Sequence, residues 1–239
     1  MVPLDFFAFP LNVLLTALAL TGVVWSWRKH RNSAFVRFML SPKATFLAIF
    51  LLLAFALFIG LTGMRELVRS WLFLIVMTYF MTVLAYVILR GYGRWRFMLL
   101  HAGLLLALIA GYVGAPDRSE VTLKVFEDNE VYERDDIRLV DFHLDAYENG
   151  SPSEFRALMY IDGREVTLKV NHPYSRRFGE DIYLTGYDVV AGADSRYCII
   201  QIVKDPWKFG VVSGIVMMIL GAVLLFINGP RRAQTVNDD

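Results

Sequence analysis

The sequence predicts an α-helical integral membrane protein of five spans, with one β-rich domain inserted between spans four and five. Three observations predict it: five long uncharged apolar windows, an acidic 92-residue block with strand-like alternation, and basic residues concentrated in alternate connections. The chain is 56% hydrophobic, above the roughly 45–50% usual for soluble domains. The excess is confined to the windows, which excludes an ordinary soluble enzyme.

The windows are Phe6–Trp27, Ala44–Met64, Ser70–Leu89, Phe97–Pro116 and Phe209–Pro230, each of 20 to 22 residues. About 20 apolar residues in a helix cross a hydrocarbon core of about 30 Å. The first window reads as a true span and not as a secretory signal. Met1–Asp5 has no basic residue, and Trp25 and Trp27 stand where a small-residue cleavage site would be.

Lys and Arg set the expected orientation. Arg28, Lys29, Arg31, Arg37 and Lys43 lie between spans one and two; Arg90, Arg94 and Arg96 lie between three and four; Arg231 and Arg232 follow span five. The connection between spans two and three has only Arg65 and Arg69 as bases. The positive-inside rule then places the N-terminus outside and the C-terminus in the cytoplasm. That parity puts Asp117–Lys208 on the outer face.

The expected organisation is a four-span bundle (1–116), an extracytoplasmic β-rich domain (117–208), and a fifth helix with a cytoplasmic tail (209–239). The outer block holds 12 basic and 19 acidic residues, net −7. Val121–Phe126, Phe155–Ile161, Glu165–Val170, Asp181–Thr185 and Tyr197–Val203 read as strands, being rich in alternating β-branched and aromatic residues. Asn149-Gly150 and Asp162-Gly163 read as turns, the second joining two strands in a hairpin.

His101 is the most informative residue. It lies in Arg96-Phe-Met-Leu-Leu-His101-Ala-Gly-Leu-Leu-Leu-Ala, five residues past Arg96 and so about 7–8 Å along a helix. An ionisable group inside a span is a functional hypothesis by default. Neutral imidazole is a good axial ligand for haem iron. The other reading is an interhelical hydrogen bond, or an imidazole close enough to the interface to stay wet. The remaining histidines, His30, His143 and His172, lie outside the windows. A haem held in the membrane by His101 would need its opposite ligand from another subunit, or an open site.

Other features are secondary. Gly103, Ala107 and Gly111 repeat every four residues, and Gly210 and Gly214 form a GxxxG, spacings that allow close helix packing. Gly91-Tyr-Gly-Arg-Trp-Arg96 reads as an interfacial anchor whose Arg94 and Arg96 would also attract haem propionates. His172, in Val170-Asn-His-Pro173, reads as a turn residue, and His143 and Cys198 as packing residues on strands. Arg176-Arg177 reads as a solvated basic pair or a grip on a carboxylate or propionate. The single cysteine, Cys198, rules out an internal disulfide and a CxxC pair. Metalloprotease, phosphate-loop and serine-hydrolase motifs are missing from the sequence, so no catalytic residue is assigned. The net charge of +1 argues against nucleic acid as a partner.

Two stretches resemble the ResB/CcsB family of the system II cytochrome c biogenesis machinery. One is Arg96–Leu106 with His101; the other runs through Val170-Asn-His-Pro173, Ile182-Tyr-Leu-Thr-Gly-Tyr-Asp188 and Ile200-Gln-Ile-Val-Lys-Asp-Pro206 into a glycine-rich last span. The resemblance covers Phe97–Ile227, with the first three spans fitting by topology. It implies a subunit of a haem export and delivery complex in the bacterial cytoplasmic membrane. Its partners would be a CcsA/ResC-like membrane subunit, apocytochrome c and a thioredoxin-like thiol reductant. The cofactor would be haem b, transported and ligated by His101 on one side and by the partner on the other. This subunit would be an accessory to the cytochrome c haem lyase. Two alternatives remain: a haem-b redox anchor exchanging electrons with quinol, and a cofactor-free structural subunit whose outer domain binds another protein.

Overall fold

The computed structural model describes residues 7–127, 137–148 and 152–228. The Asn149-Gly150 turn, the Met1–Asp5 segment and Arg231-Arg232 lie outside the described residues. The chain divides into two compact units: Met1–Asp117 with Trp207–Asp239, and Arg118–Pro206.

The first unit is helical: α1 (Leu11–Lys29), α2 (Ala34–Met39), α3 (Pro42–Thr62), α4 (Trp71–Arg90), α5 (Trp95–Leu108, continued by one π turn over Ile109–Val113) and α6 (Lys208–Asn228). Serine starts three of them. The Ser33, Ser41 and Ser70 hydroxyls accept from the backbone N–H three residues on, and Pro42 follows Ser41 where its missing N–H costs nothing. Gly63 ends α3 in the left-handed conformation, φ 68°.

Five of these helices are long and apolar enough to cross a membrane. The outward stripe of α3, Phe46, Phe50, Leu53, Leu57 and Leu61, is exposed. Such a surface is untenable in water and suits lipid. The short α2 was not foreseen. Six residues between basic connections show too little periodicity to stand out, yet Val36 and Met39 are buried.

Glycine lets two helices touch. A Cβ on Gly103 would lie 2.6 Å from the Gly214 carbonyl oxygen, and one on Gly221 would lie 2.6 Å from the Leu100 nitrogen. The two backbones touch, so α5 and α6 pack through the small residues that the sequence singled out. Gly221 extends that seam by two turns. Elsewhere the Ser26 and Tyr86 hydroxyls share a 2.6 Å hydrogen bond between α1 and α4.

Asp117 closes the last turn of this unit. Its carboxylate accepts from Phe9 N (2.6 Å), Asn12 Nδ2 (2.8 Å) and Trp207 Nε1 (2.6 Å). Burial alone would raise the carboxyl, but the three hydrogen bonds outweigh it and hold Asp117 below the ordinary carboxylate range. One side chain thereby ties the start of α1, the end of α5 and the start of α6.

Among the described residues the second unit has seven strands: β1 (Ser119–Phe126), β2 (Arg138–Ala146), β3 (Pro152–Ile161), β4 (Arg164–Lys169), β5 (Tyr174–Ser175), β6 (Glu180–Tyr187) and β7 (Tyr197–Lys204). They form two antiparallel sheets, ordered β1-β7-β6-β5 and β2-β3-β4. Alternate residues of both sheets meet in one core, with Ala157, Met159 and Ile161 from β3 facing Ile182, Cys198 and Ile200. Burying one such large apolar side chain stabilises by about 1.5–3 kcal/mol. Asp162 (φ 52°) and Gly163 (φ 76°) form the two-residue turn between β3 and β4. Two positive φ values give the primed turn that matches strand twist. β2 is an addition to the expected strands. Asp141, His143 and Asp145 place charge on its outer face, and a register shift near Leu139 breaks the alternation.

Candidate functional site

The site is built on the first two turns of α5. Arg94 precedes the helix, and its guanidinium lies 4.8 Å over the ring of Phe97. Phe97 in turn stacks on the His101 imidazole with centroids 3.9 Å apart and planes 29° from parallel. Residues four apart share one face of a helix, which makes this column local. His101 Nδ1 lies 2.9 Å from the Phe97 carbonyl oxygen. A carbonyl only accepts, so Nδ1 donates, and in the neutral ring the lone pair is on Nε2. Among the described residues Nε2 has no hydrogen-bond partner.

His101 is half-buried, one turn before Leu104 and Leu105 and two before Leu108, which pack into the apolar cluster with Val83, Leu84 and Tyr86 of α4. The neutral imidazole therefore has one nitrogen fixed by its own helix and the other free to accept. That is the state in which a histidine ligates a metal.

Arg96 is placed differently from Arg94. Its guanidinium rests over Trp95 at 5.4 Å, and its Nε is buried without a hydrogen-bond partner among the described residues. A buried guanidinium N–H without an acceptor is costly, and an incoming carboxylate would relieve it. The two arginines and His101 thus fit a carboxylate-bearing haem, with an imidazole for the iron and cations near the start of the same helix.

Other sequence candidates fall elsewhere. His30 ends α1 and meets Trp25 edge-on at 4.7 Å. In the second unit, His143 is exposed on β2, 3.6 Å from Asp141. His172 is exposed after Asn171, whose φ of 62° makes the turn. Arg176 does grip carboxylates, but internal ones: Asp162 at 2.7 Å and Glu180 at 2.8 Å, leaving only 14% of its side chain exposed. Those two partners outweigh burial and raise the guanidinium above its ordinary value. Among the described residues no group of three His, Cys, Asp or Glu could hold a metal ion.

Sequence reasoning missed a cavity of about 330 Å³ between α1, α4 and α5, walled by Leu15, Ala19, Leu74, Met81, Leu105 and Ile109. His101 does not line it. Asn12, at its edge, is 2% exposed and donates to Val113 O and to Asp117. An uncharged Asn within an apolar window was the only signal available.

The sequence model of the ResB-like family matches residues 90–197, a stretch that includes Arg94, Arg96 and His101. Over that stretch the chain is similar to the ResB-like family. Five apolar helices, one of them (Trp95–Val113) inside the matched stretch, support a multi-pass membrane protein. No curated protein matches the sequence. Among solved structures, a chain titled Cytochrome c Heme Lyase CcmF is similar at 14% identity and TM-score 0.42, over 90% of this chain and 45% of that one. The chain thus spans less than half of that protein's length.

Proposed function

We infer that this chain is the haem-receiving subunit of a system II cytochrome c biogenesis complex in a bacterial cytoplasmic membrane. One observation supports the reading: within the ResB-like stretch, half-buried His101 has Nδ1 tied to the Phe97 carbonyl and Nε2 without a hydrogen-bond partner among the described residues. Haem is the cargo. His101 offers one axial nitrogen to its iron, and Arg94 and Arg96 offer cations to its propionates. No other histidine lies in the five long helices, so the opposite ligand belongs to a CcsA/ResC-like partner. The α5–α6 seam fixes the helix that bears His101, and the acidic β domain lies on the outer face, where apocytochrome c is met. The basic connections Arg28–Lys43 and Arg90–Arg96 support that orientation.

The test is reconstitution of cytochrome c maturation in a strain lacking its own system, with the chain, a CcsA-like partner and a c-type cytochrome reporter. Wild type matures the reporter. His101→Gly loses maturation and regains part of it with added imidazole, which replaces a lost ligand but not a lost packing group. Undiminished maturation by His101→Gly would remove the ligand role.

A further inference from the structure

Both chain connections of the β domain leave at one end of its four-stranded sheet. Ser119 of β1 and Glu180 of β6 both stand opposite Lys204 of β7 in register. The turn Arg177–Gly179, which leads into β6, therefore occupies that same end. It is pinned there. Gly179 O accepts from Asp205 N at 2.9 Å, and a Cβ on Gly179 (φ 78°) would collide with the Asp205 carbonyl. Lys208, the first residue of the apolar helix α6, is only three residues beyond Asp205, at most about 10 Å of chain.

The pinned turn displays Phe178. The residue is 82% exposed, and its backbone is left-handed at φ 63°, a conformation that residues other than Gly and Asn rarely hold. Arg177 beside it is exposed, as is Lys204 on the same end. Arg176 cannot compete for an outside anion, since Asp162 and Glu180 hold it. A protruding aromatic ring with an exposed guanidinium, within a short reach of a helix entering the membrane, matches the composition of interfacial anchors.

We propose that Phe178 and Arg177 form a lipid-docking tip, the ring entering the headgroup layer and the guanidinium meeting lipid phosphate. The apolar turn at the far end of β6, with Val190 99% exposed, lies about 25 Å away along an eight-residue strand. It stays in water. The tip orients the β domain on the bilayer and is independent of any haem role.

The experiment uses the full chain in phosphatidylcholine–phosphatidylglycerol vesicles, with an environment-sensitive fluorophore on Phe178→Cys or Val190→Cys. Cys198 is fully buried and stays unlabelled in the native state. The label at 178 should be blue-shifted, quenched by a doxyl group high on the acyl chain, and shielded from aqueous iodide. The label at 190 should show the reverse. Equal iodide quenching at both positions would overturn the proposal. So would a 178 label shielded from both quenchers, which would mean a protein surface in place of lipid. If Phe178→Cys exposes Cys198 to labelling and so has misfolded, Arg177→Cys serves as the adjacent reporter with the same two readings.

Discussion

The imidazole of His101 lies on the ring of Phe97, 3.9 Å between centroids, while its Nδ1 reaches that same residue's carbonyl oxygen at 2.9 Å. One neighbour thus fixes both the tautomer and the plane of the ring. Phe97→Leu keeps the carbonyl and removes the stack, a loss of about 0.5–1.5 kcal/mol on the scale of aromatic pairs. Haem retained by the purified complex should fall by up to about tenfold with unchanged ligation spectra. Retention equal to wild type would show that the stack does not position the ligand.

The α5–α6 seam should tolerate no side chain. Gly103→Leu and Gly214→Val place atoms where Gly214 O, Met218 N and Ala107 N now stand. Overpacking of this kind costs about 1–3 kcal/mol. Thermal unfolding in detergent should show both variants destabilised. Gly60→Leu, with nothing within 4 Å of its Cβ position, should be neutral.

Asp117 carries a pH dependence of known sign. Its folded carboxyl is held below the ordinary value by Phe9, Asn12 and Trp207, so its stabilisation is complete above the unfolded carboxyl pKa of about 3.9. It is lost as pH falls through the lower folded value. Asp117→Asn cannot accept both Asn12 and Trp207 on one oxygen while also serving Phe9, and should cost about 1–3 kcal/mol at neutral pH. Melting curves of wild type and variant should converge at strongly acid pH.

Cys198 should be inert in the native protein. Burial pushes its thiol up to about 12, and the side chain has no exposed surface. Maleimide at pH 8 should leave the folded chain unmodified and label it fully after denaturation. Rapid native labelling would mean that the two sheets separate.

These positions differ in how far they could be read in advance. The five apolar windows and the Asp162-Gly163 hairpin were legible because hydropathy and primed-turn chemistry are local signals. The spacings of Gly103, Ala107 and Gly111 and of Gly210 and Gly214 announced close packing, though Gly111 makes no tight contact, and the meeting of Gly221 with Leu100 depends on where α6 crosses α5. The Asn12–Asp117–Trp207 tie joins residues about a hundred positions apart, and nothing in any one segment announces it. His101 was legible as an ionisable group in an apolar run. Its tautomer was not, because that depends on the side chain turning back to its own helix. Arg176-Arg177 read as one basic pair, yet the fold gives the two opposite fates: Arg176 is consumed by internal carboxylates and Arg177 is left at the surface.

The central claim is that His101 ligates haem shared with a partner subunit. The most direct measurement is haem content by the pyridine-haem method, with visible absorption spectra, on the detergent-purified complex with a CcsA-like partner, for wild type and His101→Ala. Haem in wild type that is lost or spectrally altered in His101→Ala is the predicted result. Equal haem with an unchanged spectrum in an intact variant complex would contradict it, and would leave haem ligation to the partner alone.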